Sequence, residues 1–204
     1  LFTKTEFPRA LLNSLMIAFL TTVCCLLISI LGSYAMTRLK YPGRRFFKTS
    51  IIFSYLIPTA VLFVPMYVFV SKLGFYDNKW ALLIIYPTTV VPYCCYMLMS
   101  YFKAIPYALE EAALIDGCTR MKSLRYIITP IALPGIAVVA TFAFTMSWNE
   151  YLYAMIMTTS PAQQTAVVAI SSFKYADSAI WGRIMAASVL TSLPVTIIYI
   201  VAQA

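Results

Sequence analysis

An all-α, polytopic membrane protein is the fold class this sequence predicts, and three observations predict it. Of its 204 residues 62% are hydrophobic and only 11% are charged, whereas soluble domains carry about a quarter charged residues. Uncharged runs of membrane length recur at residues 10–37, 49–71, 80–102, 126–149 and 184–204, and ~20 apolar residues rising ~1.5 Å each span the ~30 Å of a bilayer core. The runs lack the alternation of barrel strands, which leaves helices as the way to satisfy backbone polar groups in lipid. Five transmembrane helices are therefore expected. With no internal repeat, low-complexity tract or linker, residues 1–204 read as one domain.

The first span, 10–37, ends at Arg38-Leu39-Lys40-Tyr41-Pro42-Gly43-Arg44-Arg45, where Pro-Gly makes a turn. The second carries Pro58 and Pro65 and is expected to kink. A turn with Gly74, Asp77 and Asn78 follows, with Phe75, Tyr76 and Trp80 as interfacial anchors. The third span holds Pro87 and Pro92, expected to loosen its first half. Pro130 and Pro134 open the fourth, which reaches Met146, or Met157 if it continues through Trp148-Asn149-Glu150-Tyr151. Residues 158–177 form a polar, flexible loop, aromatic at Phe173 and Tyr175, before the fifth span.

Lys and Arg set the orientation. If the first span runs from outside to inside, the inner segments hold Arg38, Lys40, Arg44, Arg45, Lys48, Lys103, Arg120, Lys122 and Arg125, against Lys4, Arg9, Lys72, Lys79, Lys174 and Arg183 outside. The net charge of +8 is thus a topology signal, and no soluble basic face exists for a nucleic acid. The five cysteines are Cys24, Cys25, Cys94, Cys95 and Cys118. Adjacent pairs in mid-span point in different directions around a helix, which suits small apolar residues better than disulfides or ligands.

Several chemistries are excluded. The chain has no histidine, so histidine triads and zinc–histidine sites are impossible, and no metal site is expected. Its six glycines form neither a phosphate-cradling G-x-x-x-x-G-K-[ST] loop nor G-x-G-x-x-G. Glu110 and Glu111 as a catalytic pair lie on a hydrated inner loop with no pocket implied.

That inner loop, 103–129, holds three of the seven acids between two spans. Pro106 suits the first turn of a helix, Glu110 and Glu111 suit its positive end, and Ala112 and Ala113 leave a low flank. Asp116-Gly117 ends it, because glycine accepts the left-handed conformation of a C-terminal stop. Thr119 can then cap a second short helix carrying Arg120, Lys122 and Arg125.

Glu111-Ala112-Ala113, Asp116-Gly117 and a proline thirteen residues beyond that glycine resemble the E-A-A loop of ABC importer permeases. Asn13-Ser14-Leu15, Arg38 through Gly43, Trp148-Asn149-Glu150-Tyr151, and Met185-Ala186-Ala187-Ser188 with Leu193-Pro194 look like the smaller permease subunit of maltose-type sugar uptake. Cys118 stands where that family usually has alanine, and Thr129-Pro130 where it has leucine-proline.

The resemblance implies the type I ABC importer permease fold, with a sixth span before Leu1 and loop 103–129 as a cytoplasmic coupling helix. It implies a multi-pass subunit of the inner (cytoplasmic) membrane, partnered by a second permease, two ATPase subunits and an extracellular solute-binding protein. ATP and magnesium would be bound by the ATPase and no cofactor by this chain. Glu110, Glu111, Ala112, Ala113, Asp116 and Gly117 would couple to the ATPase, with Glu111 meeting a basic residue there. Loop 158–177 would contact the solute-binding protein. Asn149, Glu150 and Tyr151 are candidates for the substrate path, because burying such polar groups costs several kcal/mol unless they line a wet cavity. An interfacial belt anchored by Trp148 and Tyr151 is the other reading of that stretch. The function expected is import of sugars driven by ATP. A permease of the same type for a polyamine, phosphate or amino acid, or an ion-coupled carrier, remains as the alternative.

Overall fold

In the computed structural model residues 5–173 and 181–203 are described. Leu1, Lys4, Lys174 and Tyr175 lie outside them, as do the last residues of loop 158–177 and the final residue of the fifth span. All described regular structure is helical. Helix α1 is Phe7–Arg38, α2 Arg44–Leu56 and α3 Thr59–Lys72; a 3-10 turn, Lys79–Ala81, leads into α4, Leu82–Ala104. Then come α5 (Tyr107–Ile115), α6 (Arg120–Ser123), a π-helical turn (Leu124–Ile128) and α7 (Thr129–Ile131). The last four are α8 (Leu133–Trp148), α9 (Leu152–Met157), α10 (Ala166–Ser172) and α11 (Trp181–Gln203).

The five expected spans correspond to three continuous helices and two bent pairs. Helices α1, α4 and α11 are each long and apolar enough to cross a bilayer alone. The second span turns by 98° between α2 and α3. The break falls at Ile57-Pro58, where Ile57 is extended, because proline disfavours a helical residue before it. Pro65 stays inside α3, and Pro87 and Pro92 stay inside an unbroken α4. The fourth span bends by 81° where the segment Arg120–Ile131 meets α8, and it stops at Trp148. Asn149-Glu150-Tyr151 is a break, after which α9 restarts the helix.

Helix α1 is the mast of the bundle, packed along α4 and α8. Small hydroxyl residues let the α1 and α4 backbones approach: Ser33 Oγ donates to the Cys95 carbonyl at 3.1 Å and Ser29 Oγ to Val91 at 3.5 Å. Cys25 and Cys94 are buried in the same core as Leu98, Phe102, Ile128 and Val139, and all five cysteines are free. Where α4 meets α8, Gly135 lies under the Tyr101 ring, and a Cβ there would stand 2.5 Å from ring atoms. Gly135→Ala should therefore push α8 off α4 and cost ~1–3 kcal/mol, read as a lower unfolding temperature in detergent; an unchanged temperature would show that the ring swings aside freely.

At the end opposite the basic turn, residues 158–165 are folded back onto α1, unlike the flexible loop expected. Asn13 Nδ2 donates to the Ala162 and Gln164 carbonyls at 3.1 and 3.0 Å, and its Oδ1 accepts from Lys79 Nζ at 2.8 Å. Ser14 Oγ accepts from the Ala166 amide at 2.8 Å, and Phe173 packs its ring on Phe7. Asp77 accepts from the amide and hydroxyl of Ser160, which holds its carboxyl below the ordinary range. A folded value below the unfolded one means the clasp contributes fully above the unfolded value and is lost only as pH falls through the folded one. Asn13 and Ser14, conspicuous in the sequence as the opening of a span, are the pegs that hold this cap.

Candidate functional site

The basic end carries α5, and its residues divide sharply by face. Glu110 and Ala113 are buried, while Glu111, Ala112, Asp116 and Gly117 are exposed. Pro106 stands one residue before the helix, in extended conformation, and not in its first turn. Gly117 adopts φ +84°. Its amide donates to Leu114 O at 3.2 Å and the Cys118 amide to Ala113 O at 2.9 Å, the paired bonds of a Schellman stop that a side chain would strain. The Thr119 hydroxyl accepts from the Lys122 amide and so opens α6.

Glu110 corrects the expectation of a hydrated pair. Its side chain is 2% exposed and faces two arginines and a tyrosine. Oε1 accepts from Tyr34 Oη at 2.6 Å and from Arg120 Nη1 at 2.9 Å; Oε2 faces Arg38 Nε at 3.8 Å, a charge pairing without a hydrogen bond. Arg38, which the sequence offered only as an inside charge, is buried completely. Its Nη2 donates to the carbonyls of Phe102, in the last turn of α4, and of Ile105, just past its end, at 2.5 and 2.6 Å, where a cation suits the negative end of the helix. Its guanidinium also lies 4.2 Å from the centre of the Tyr107 ring, and Tyr107 Oη donates to Thr37 O at 2.6 Å. Arg44 closes the end of α1 through Met36 O and Thr37 O. The ends of α1 and α4 are thus bolted to α5 through a charged, buried hub.

Among the described residues the opposite face of α5 has no such partners. Ile115 is 86% exposed, one turn on from the exposed Glu111 and Ala112, and Met121 of α6 is 60% exposed. Apolar side chains held out at the aqueous end of a membrane bundle mark a surface for another protein. Between this helix and the turn after α1 lies a cleft of about 710 Å³, bordered by Lys40, Tyr41, Arg44, Glu111 and Leu114 among others.

Asn149, Glu150 and Tyr151 are adjacent in sequence but part in space. Glu150 turns back on α9, its two oxygens accepting from the Tyr153 and Ala154 amides at 3.0 and 3.2 Å, as an N-terminal cap does. Tyr151 is exposed at the start of α9. Asn149 donates to Thr145 O at 3.0 Å and borders a groove between α8, α10 and α11. Trp148 is buried, stacked on Phe144 and donating to Thr191 O at 3.1 Å; this makes it a pin between α8 and α11 and not an interfacial anchor. Among the described residues no cluster of His, Cys, Asp or Glu could hold a metal ion.

Residues 25–204 match the family model described as binding-protein-dependent transport system inner membrane component. Over 191 residues the chain is 37% identical to the inner membrane ABC transporter permease protein YcjP of Escherichia coli (strain K12), which covers 94% of this chain and 68% of that protein. It is 34% identical over 199 residues to the trehalose/maltose transport system permease protein MalG of Thermococcus litoralis, covering 97% of this chain and 72% of that one. Its fold superposes with a TM-score of 0.85, at 22% identity and over 99% of this chain and 76% of the other, on a chain of a bacterial ABC transporter involved in the import of the acidic polysaccharide alginate.

Proposed function

From the premise that the chain belongs to the family of binding-protein-dependent transport system inner membrane components, we propose that this multi-pass inner-membrane subunit forms one half of a sugar translocation path and receives its power through α5. The partners are a second permease, two ATPase subunits that bind ATP and its magnesium, and an extracellular solute-binding protein. Sugar as the cargo follows the relative named for trehalose and maltose. One observation carries the coupling role: α5 is locked to α1 and α4 on one face through Glu110 and bare on the other at Glu111, Ala112 and Ile115.

A displacement of the bare face by a moving ATPase reaches α1 and α4 together, because Arg38 holds the ends of both. Between two packed arrangements such a rigid link converts a cytoplasmic shift into reorientation of the bundle. The breaks at Ile57-Pro58 and Ala132 are where α3 and α8 can swing relative to their basic ends.

Glu111→Lys and Ile115→Asp alter exposed positions only, so the permease should fold and reach the membrane. Both should lose the ATPase on co-purification, with retained complex falling at least ~10-fold, as a reversed charge or a desolvated carboxylate costs upward of ~1.4 kcal/mol at an interface. ATPase that stays bound to both variants at wild-type levels would argue against α5 as the docking helix.

A further inference from the structure

At the basic end of the bundle two helices bring like charges together. Helix α2 runs antiparallel along α4: Ile51 packs against the cluster of Met36, Cys95 and Met99, and the Tyr55 ring lies 5.5 Å from that of Tyr93. That pairing sets Lys48, one turn before Ile51, against Lys103, one turn beyond Met99. Lys48 accordingly feels the charges of both Arg44 and Lys103. Arg44 is fixed by the carbonyls of Met36 and Thr37, which take its Nε and Nη2 and leave Nη1 uncommitted among the described residues.

No acid answers this cluster. Among the described residues Arg44, Arg45, Lys48 and Lys103 form no ion pair, and Glu110 is spent on Arg38 and Arg120. The sorting of cations to one side of a membrane asks only that they lie on that side. It does not ask two helices to bring them to one point, where they repel. Next to the cations lies an apolar lane. Ile52 and Tyr55 follow Lys48 at helical spacing on α2, and Tyr96 precedes Lys103 by two turns on α4, so these side chains share the cations' faces. Ile52, Tyr55 and Tyr96 are all exposed, and the described residues bury none of α2. A soluble anion would use the cations and leave the lane bare, and an apolar helix would fill the lane and leave the cations unanswered. A phosphate joined to an acyl chain matches both, as basic pockets between membrane helices match anionic headgroups.

We propose that the α2–α4 crevice binds an anionic phospholipid, its phosphate among Arg44, Lys48 and Lys103 and an acyl chain along Ile52, Tyr55 and Tyr96. The lipid relieves the repulsion and clamps α2 to α4. The clamp lies on the basic side of the break at Ile57-Pro58, so α3 can swing against a fixed α2. Its assignment to the cytoplasmic leaflet rests on the coupling role of α5; the lipid contact itself does not.

The test uses the whole transporter, with its second permease and ATPases, delipidated in neutral detergent and titrated with dioleoylphosphatidylglycerol or dioleoylphosphatidylcholine. Native mass spectrometry counts the lipid that stays bound. The wild type should hold phosphatidylglycerol ~10-fold more tightly than Lys48→Gln combined with Lys103→Gln, with no such difference for phosphatidylcholine, and Lys48→Arg combined with Lys103→Arg should match the wild type. Without lipid the glutamine variant should unfold at no lower a temperature than the wild type, since it has lost a repulsion; added phosphatidylglycerol should raise the wild-type temperature the more. Wild type that holds the two lipids equally overturns the site, whatever the variants do. A glutamine variant that keeps wild-type affinity for phosphatidylglycerol overturns it too. Displacement of the lipid by millimolar inorganic phosphate would mark a site for a soluble anion instead. Loss of the second permease from the glutamine variant, at unchanged lipid affinity, would give the cations to that subunit, and the lipid site falls. Co-purified ATPase, which reads the coupling role of α5, is measured separately on the same samples.

Discussion

Glu110→Ala should leave the permease in the membrane but disconnect it from its motor. The substitution strips Arg38 of its acid while Arg38 remains fully buried, and breaking one side of a buried pair costs ~3–5 kcal/mol. It also removes the oxygen that accepts from both Tyr34 Oη and Arg120 Nη1, leaving Tyr34 Oη only the Arg120 carbonyl at 3.4 Å. Arg38 keeps its bonds to the end of α4, so the bundle core is not directly attacked; what is lost is the join between α5 and α1. Uptake should fall by at least ~100-fold while ATP hydrolysis continues, and the unfolding temperature should drop. Arg38→Met combined with Glu110→Leu removes both charges, and apolar replacements of a buried pair are close to neutral. That double variant should regain much of the stability without regaining uptake, because the cap on α4 and the hub are gone. Full transport by Glu110→Ala would show that α5 transmits force by some route other than this hub.

Much of the bundle was legible because lipid is an unforgiving solvent. A charge-free run of membrane length has few alternatives to a span. Local signals were equally plain: Asp116-Gly117 announced a left-handed stop, realised at φ +84°, and Thr119 announced a cap. What could not be seen is what depends on distant partners. Glu110 and Glu111 are indistinguishable as sequence, yet one is buried and the other exposed, a difference set by Arg38, seventy-two positions earlier, and by which face of α5 meets α1. Proline signalled weak points but did not say which would break: Pro58 marks a 98° turn and Pro65 sits in a helix. Polarity at residues 158–165 suggested freedom, whereas Asn13 and Asp77 tie that stretch down.

Gly117→Pro strikes the same lever from its outer end. Proline fixes φ near −65°, and Gly117 needs +84°. Proline also lacks the N–H that Gly117 donates to Leu114 O at 3.2 Å. The Schellman stop cannot form, so the chain must leave α5 in a different direction and carry α6 with it, pulling Arg120 from Glu110 Oε1. The bare face of α5 would lose its geometry while Glu111, Ala112 and Ile115 remain chemically intact. Co-purified ATPase should fall at least ~10-fold, and uptake with it. Gly117→Ala separates conformation from bulk: nothing lies within 4 Å of a Cβ placed there, so its defect comes only from the left-handed backbone, at ~1–2 kcal/mol. Gly117→Asn, which tolerates that conformation better, should retain more ATPase than Gly117→Ala. The order glycine, asparagine, alanine, proline in retained ATPase is the mark of a backbone requirement. An order that instead followed side-chain size would place the effect in a steric contact with the partner and not in the turn.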